Sequence, residues 1–184
     1  MSRRWRPFAA ALLVVLAVGW LGRSFFADDD AAPRYRTEKA SRGDLVATVG
    51  TGSVARVFDP RTGDIVASVD QGADVTDVTL TPDGESLVTT GEDRTARVWS
   101  LSEGGWLVHE LEGHRGPITS AEVAGDGTLL ATTSADATAR VWELPTGRLV
   151  AELGGHTGRV DGAAFSDDSQ SIATWGAGGT VRVG

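Results

Sequence analysis

Short runs recur along this chain in a fixed register, and a period of this length restricts it to architectures that stack one supersecondary unit on the next. Ala55-Arg-Val-Phe58, Ala96-Arg-Val-Trp99 and Ala139-Arg-Val-Trp142 are followed by Val181-Arg-Val183, at offsets of 41, 43 and 42 residues. Other positions keep the phase. Gly113-His114 returns as Gly155-His156, and Asp83-Gly84, Asp126-Gly127 and Asp168-Ser169 occupy one recurring turn. Val78 and Leu80 become Ala121 and Val123, then Ala163 and Phe165. Each unit divides into four short strands, expected in the second full unit at 118–123, 129–133, 138–142 and 148–153. Alternation in the first of these supplies one apolar face, as the strand period requires. Asp126-Gly127 and Pro145-Thr-Gly147 supply the turn chemistry between strands.

Units of forty-odd residues with four strands, a Gly-His pair and a Trp late in the third strand resemble WD-repeat β-propellers. The resemblance spans about residues 55–184, with the Trp-Asp pair degenerate as Phe58-Asp59, Trp99-Ser100 and Trp142-Glu143. It implies a hydrogen-bonded His, Ser/Thr, Asp and Trp inside each blade. His114, Thr132, Asp136 and Trp142 form one complete set. The preceding blade offers Thr89, Asp93 and Trp99, with Gln71 where the His belongs. The last offers His156 and Thr174, but Gly178 replaces the Asp and Gly184 the Trp, so this blade is expected to be the loosest.

His, Thr and Asp are also the materials of a catalytic triad. Their repetition in phase favours a role in each blade's own fold, because buried polar groups must be paired and a network does so turn after turn. No catalytic, cofactor or metal site is expected: His109, His114 and His156 lack ligand spacing, and the absence of Cys removes disulfides and thiolate ligands. Charge is uneven. Residues 1–54 hold eight basic and five acidic side chains, whereas 55–184 hold nine and twenty. The resulting −11 repels phosphate and argues against nucleic acid as a partner.

The front of the chain reads differently. Arg3, Arg4 and Arg6 precede an uncharged stretch over residues 7–22, closed by Arg23 and followed by Asp28, Asp29 and Asp30. That stretch is shorter than the roughly 20 residues that span a bilayer, but Phe25, Phe26 and snorkelling Arg side chains extend it. The charge asymmetry places the N-terminus in the cytoplasm and the remainder outside. The expected division is a membrane anchor over 1–26, a polar linker over 27–44 containing Pro33, and blades over 45–184. The alternative is a secreted protein whose signal peptide is cleaved near Ala17-Val18-Gly19.

Within this front, residues 35–54 resemble the start of periplasmic adaptor (membrane-fusion) subunits of bacterial efflux and secretion pumps, through Arg42-Gly-Asp-Leu45 and the turn Thr51-Gly52. The lipoyl-like and barrel domains of that family do not follow. Gly50-Thr-Gly52-Ser-Val-Ala55 mimics a dinucleotide fingerprint, but that motif opens a helix, and residues 56–63 read as a strand and a turn.

Counting strands gives the third and fourth of one blade (54–69), two whole blades and the first two to three strands of another. The fold expected is therefore all-β: an incomplete WD-type propeller of about three blades behind one N-terminal transmembrane helix, where rings use about four to eight blades. The function expected is a membrane-anchored, non-catalytic platform for other proteins. Loops at 103–106 and 115–117 are its contacts, with Trp106 and Arg115 as contact residues. The rival is an adaptor component of an efflux or secretion transporter. A second copy joined head to tail would complete the unfinished blades.

Overall fold

A computed structural model of the chain describes residues 36–39, 45–102, 104–178 and 181–183, and every regular element among them is a strand. The chain divides into two units at Ala31/Ala32, and the described residues all belong to the second. Strands β1 (Arg36–Lys39), β2 (Val46–Val49), β3 (Val54–Phe58) and β4 (Ile65–Asp70) form the first sheet. The second holds β5 (Val75–Leu80), β6 (Ser86–Gly91), β7 (Ala96–Ser100) and β8 (Trp106–Leu111). The third holds β9 (Ile118–Val123), β10 (Leu129–Ser134), β11 (Ala139–Glu143) and β12 (Arg148–Leu153). The fourth holds β13 (Val160–Phe165), β14 (Ile172–Gly176) and β15 (Val181–Val183). Each sheet is an antiparallel meander in chain order. The first strands β1, β5, β9 and β13 pack against one another in succession.

Both faces of the second and third sheets are covered by neighbours, so successive residues of their middle strands face different cores. On β6, Leu87 packs with Ala47, Val57 and Val69 of the first sheet, whereas Val88 packs with Ile118, Leu130 and Trp142 of the third. Ala131 and Val141 in turn meet Ala163 and Ile172 of the fourth. This two-sided burial explains why second and third strands read as near-continuous apolar runs rather than clean alternations. The fourth strands lie outermost, and β8 and β12 are mostly exposed.

The first sheet departs from expectation. It has four strands, not two, which brings the total to four sheets rather than about three blades. β2 pairs with β3 from Val46↔Phe58 to Val49↔Ala55, and β1 pairs with β2 from Arg36↔Val49 to Lys39↔Val46. β1 thus falls inside the stretch expected to be a polar linker. Ala47 and Val49 are buried beside Ala55 and Val57, and β1 covers an edge of β2 that would otherwise stay unpaired. The expected anchor over 1–26 lies outside the described residues, among which no helix is long and apolar enough to cross a membrane.

A register shift recurs between the third and fourth strands, at Val57/Phe58, Val98/Trp99 and Val141/Trp142. A bulge re-aims the side chain beside it. Here that residue is the repeated aromatic, which Trp99 and Trp142 carry into the interior.

Candidate functional site

The most elaborate constellation lies inside the third sheet. Thr132 stands in the middle of β10, Trp142 follows the bulge on β11, His114 lies in the loop entering β9, and Asp136 sits in the β10–β11 turn. Trp142 Nε1 donates to Thr132 Oγ1 at 2.9 Å, Thr132 Oγ1 lies 2.9 Å from His114 Nε2, and His114 Nδ1 lies 3.0 Å from Asp136 Oδ2. With the imidazole neutral, the donor inventory closes: the Thr132 oxygen accepts from the indole and gives its hydroxyl proton to His114 Nε2, and the Nδ1 proton goes to Asp136. Burial, the largest influence, pushes the His114 pKa below its ordinary value; the bond to Asp136 and its charge oppose this, and the Arg140 charge reinforces it.

Asp136 behaves in the opposite sense. Burial pushes its pKa up, but hydrogen bonds from the Thr138 hydroxyl, the Arg115 N–H and His114 outweigh it and hold the carboxyl far below the usual range. Those bonds are short, 2.6 Å from Thr138 Oγ1 and 2.7 Å from Arg115 N. The Thr138 N–H also donates to Asp136 Oδ1, so the carboxylate organises the turn as well as the imidazole. The glycine before His114 has its own reason. Gly113 has φ +132°, and a Cβ there would stand 1.8 Å from Arg140 Nη1. Arg140 crosses this glycine and donates to Glu152 at 2.8 Å.

The second sheet builds the same chain with Gln71 in place of His. Thr89 Oγ1 donates to Gln71 Oε1 at 2.5 Å, Gln71 Nε2 donates to Asp93 Oδ1 at 3.2 Å, and Trp99 Nε1 donates to Thr89 Oγ1 at 2.8 Å. The amide presents an acceptor to the threonine and a donor to the aspartate, as the neutral imidazole does. Asp93 also accepts from Arg97 Nη1 at 2.6 Å, an ion pair that the third sheet lacks at its Asp136. Burial raises the Asp93 pKa, but Arg97 and Thr95 bring it below its ordinary value. In the fourth sheet His156 Nε2 lies 2.9 Å from Thr174 Oγ1, both buried; Gly178 offers no carboxylate, and Gly184 lies outside the described residues.

Thr132, Thr89 and Thr174 are shut off from solvent, and their hydroxyls are already bonded. Among the described residues no group of three or more His, Cys, Asp or Glu side chains is placed to hold a metal. A further polar group escapes sequence reasoning. The wholly buried Asp77 accepts from Val78 N at 2.7 Å and, across to the next sheet, from Ala121 N at 3.0 Å. The in-phase positions are Ser120 and Gly162, so no repetition marks it. The two residues expected to make contacts are both exposed but not adjacent. Trp106 opens β8, and Arg115 lies beyond its other end beside His114.

Meandering antiparallel sheets stacked face to face, three of the four tied inside by a His or Gln and a Thr and two of these also by a Trp and an Asp, define a protein built of β-propeller blades. Residues 63–100, 105–143 and 147–183 match the model of the WD domain, G-beta repeat, and cover more than half of the chain, which belongs to that family. Each matched segment starts at the fourth strand of one sheet and ends with the third of the next, so the repeat itself links neighbouring sheets.

Relatives match over part of their length. The U3 small nucleolar RNA-associated protein 15 homolog of Xenopus tropicalis is 38% identical over 81 residues, 44% of this chain and 16% of that protein. Human WD repeat and SOCS box-containing protein 1 is 35% identical over 78 residues, 41% and 18% of the two chains. The Arabidopsis thaliana transcriptional corepressor LEUNIG_HOMOLOG is 26% identical over 81 residues, 44% and 10%. The chain thus spans less than a fifth of each. All three are eukaryotic. The family match begins at residue 63, so the bacterial adaptor resemblance over 35–54 lies outside it.

These relatives correct the expected localisation. A single-pass membrane or secreted protein was read from the apolar run at 7–22, yet relatives from frogs, cattle and chicken are named for a small nucleolar RNA, not for a membrane. The apolar run at 7–22 is a local signal that lies outside the described residues.

Proposed function

We propose that the blades, residues 45–184, act as a non-catalytic platform for protein partners. The observation that carries this reading is the closure of the triad-like groups. The hydroxyl, imidazole and carboxylate of the third sheet are spent on one another and on the backbone, leaving no reactive atom open to a substrate. What the blades do offer outward is a set of rigidly seated loops and strand ends, among them Arg115, whose backbone is tied to Asp136, and Trp106. A corepressor and a SOCS-box protein among the relatives fit a role in assembly, and the −11 of residues 55–184 favours protein over nucleic acid as the partner.

Photo-crosslinking residues placed at 106 and 115 of the full chain test this. Protein adducts are expected at one or both, and none at the buried position 132. Reproducible hydrolase or transferase activity that is lost on Asp136→Ala while the fold is retained overturns the reading.

A further inference from the structure

The outer strands of the first three sheets are in phase: Ile65, Leu107 and Leu149 pair with Phe58, Trp99 and Trp142. Each therefore shows the same aliphatic pair near its start, as Ile65-Val66, Leu107-Val108 and Leu149-Val150. The position before the pair separates them. It is Asp64 ahead of β4 and Arg148 on β12, both exposed charges of the kind that discourages pairing at a sheet edge. On β8 it is Trp106, 68% exposed, followed by Leu107 at 46% and Val108 at 50%. Among the described residues β8 has β7 as its single strand neighbour, so its outer side is an edge there, without a charge in the position that Asp64 and Arg148 hold.

This edge is held rigidly. Gly105, just before Trp106, approaches β4 so closely that a Cβ would lie 2.9 Å from Val69 Cγ1. Towards the other end, His109 Nε2 lies 3.2 Å from the Pro145 carbonyl of the next sheet. Beyond the apolar residues stand the exposed Glu110 and Glu112, the former paired with Arg97. Charge complementarity thus favours a basic flank on whatever lies along β8.

We propose that β8 is a docking edge for an extended segment of a partner protein, which adds to it as a fifth strand with apolar side chains along Trp106–Val108 and Lys or Arg beside Glu110 and Glu112. Backbone bonds along an edge give affinity in this mode, and alternate side chains give selectivity. The register shift leaves Val108 as the extra residue between Leu107, opposite Trp99, and His109, opposite Val98, and breaks the alternation there, so the incoming strand meets Trp106, Leu107 and Val108 as one exposed apolar run. The inference rests on the platform reading and names the mode and chemistry of one partner.

The probe is a fluorescent peptide, Lys-Lys-Val-Thr-Val-Thr-Val-Lys-Lys, and its twin N-methylated at alternate residues, titrated against the full chain by anisotropy. The parent peptide is expected to bind saturably and more weakly at high salt. Trp106→Arg, the residue β12 carries at this position, should weaken binding at least about tenfold, as loss of an aromatic anchor does. Val108→Lys and N-methylation of the peptide should each do the same. Equal binding of both peptides, or binding untouched by both variants, overturns the proposal. So does light scattering in which the chain is a dimer that Trp106→Arg makes monomeric while the peptide stays unbound, since a second copy is then the occupant. Crosslinks at 115 without peptide binding would sink strand docking and leave the platform standing. No crosslink at either 106 or 115 would sink the platform itself.

Discussion

Replacing Thr132 with Val keeps the shape of the side chain and deletes the one group that joins two ends of a buried network. Its hydroxyl accepts from Trp142 Nε1 and bonds His114 Nε2, so the substitution leaves an indole N–H and an imidazole nitrogen buried without that partner. An orphaned buried polar group costs about 1–3 kcal/mol, so two cost about 2–6 kcal/mol. That is a large share of the roughly 5–15 kcal/mol that holds a domain folded. Thr89→Val should cost as much, because Thr89 likewise joins Trp99 to Gln71. Thr174→Val breaks a single bond, to His156, and should cost about 1–3 kcal/mol. Urea unfolding of the full chain, followed by tryptophan fluorescence and circular dichroism and extrapolated linearly, gives the three values side by side. Faster exchange of the Trp142 indole proton in Thr132→Val gives a second, local readout. The reasoning fails if Thr174→Val costs as much as Thr132→Val, or if Thr132→Val stays within about 0.5 kcal/mol of the parent, the range of an ordinary surface change.

Acid should weaken the third sheet in two stages. The folded His114 has a pKa below its ordinary 6.5, so the unfolded chain binds this proton first, and stability present above about pH 6.5 is lost as pH falls through the folded value. Asp136, also depressed, adds a second loss as pH falls below its ordinary 3.8. His114→Gln, which copies Gln71, should remove the first stage; urea midpoints across pH decide, and a parent midpoint that is flat from about pH 7 to 4 contradicts the assignment. Gly113→Ala should cost well over the roughly 1–2 kcal/mol of a left-handed residue, because Arg140 must also move, whereas Gly125→Ala, with nothing within 4 Å, should be close to neutral in thermal melts. Trp106→Arg should leave the melting curve within about 0.5 kcal/mol of the parent, since the side chain lies mostly in solvent.

Much of the blade was legible from the chain because its information is local and repeated. Two of the four strands expected in the third sheet, at 118–123 and 148–153, coincide with β9 and β12, β10 runs one residue past the expected 129–133, and β11 is shifted by one residue from the expected 138–142. The membership of His114, Thr132, Asp136 and Trp142 in one network was implied by the resemblance to WD-repeat propellers, and the distances between them came from the fold. Where recurrence failed, so did foresight. Gln71 looked like a gap in a pattern, and only the approach of Thr89 and Asp93 reveals an amide doing the work of an imidazole. Asp77 has no in-phase counterpart and bonds a backbone N–H 44 residues away. β1 and β2 carry no Asp-Gly turn or Trp to announce a blade; β2 is placed by pairing with β3 and by burial of Ala47 and Val49 against the second sheet, and β1 by pairing with β2. Period, turn chemistry and amphipathic alternation act over a few residues and are written in order along the chain. Which strand edge is covered, which polar atom finds a partner and which aromatic is left in solvent depend on groups that are distant in sequence, and only the packed sheets bring them together.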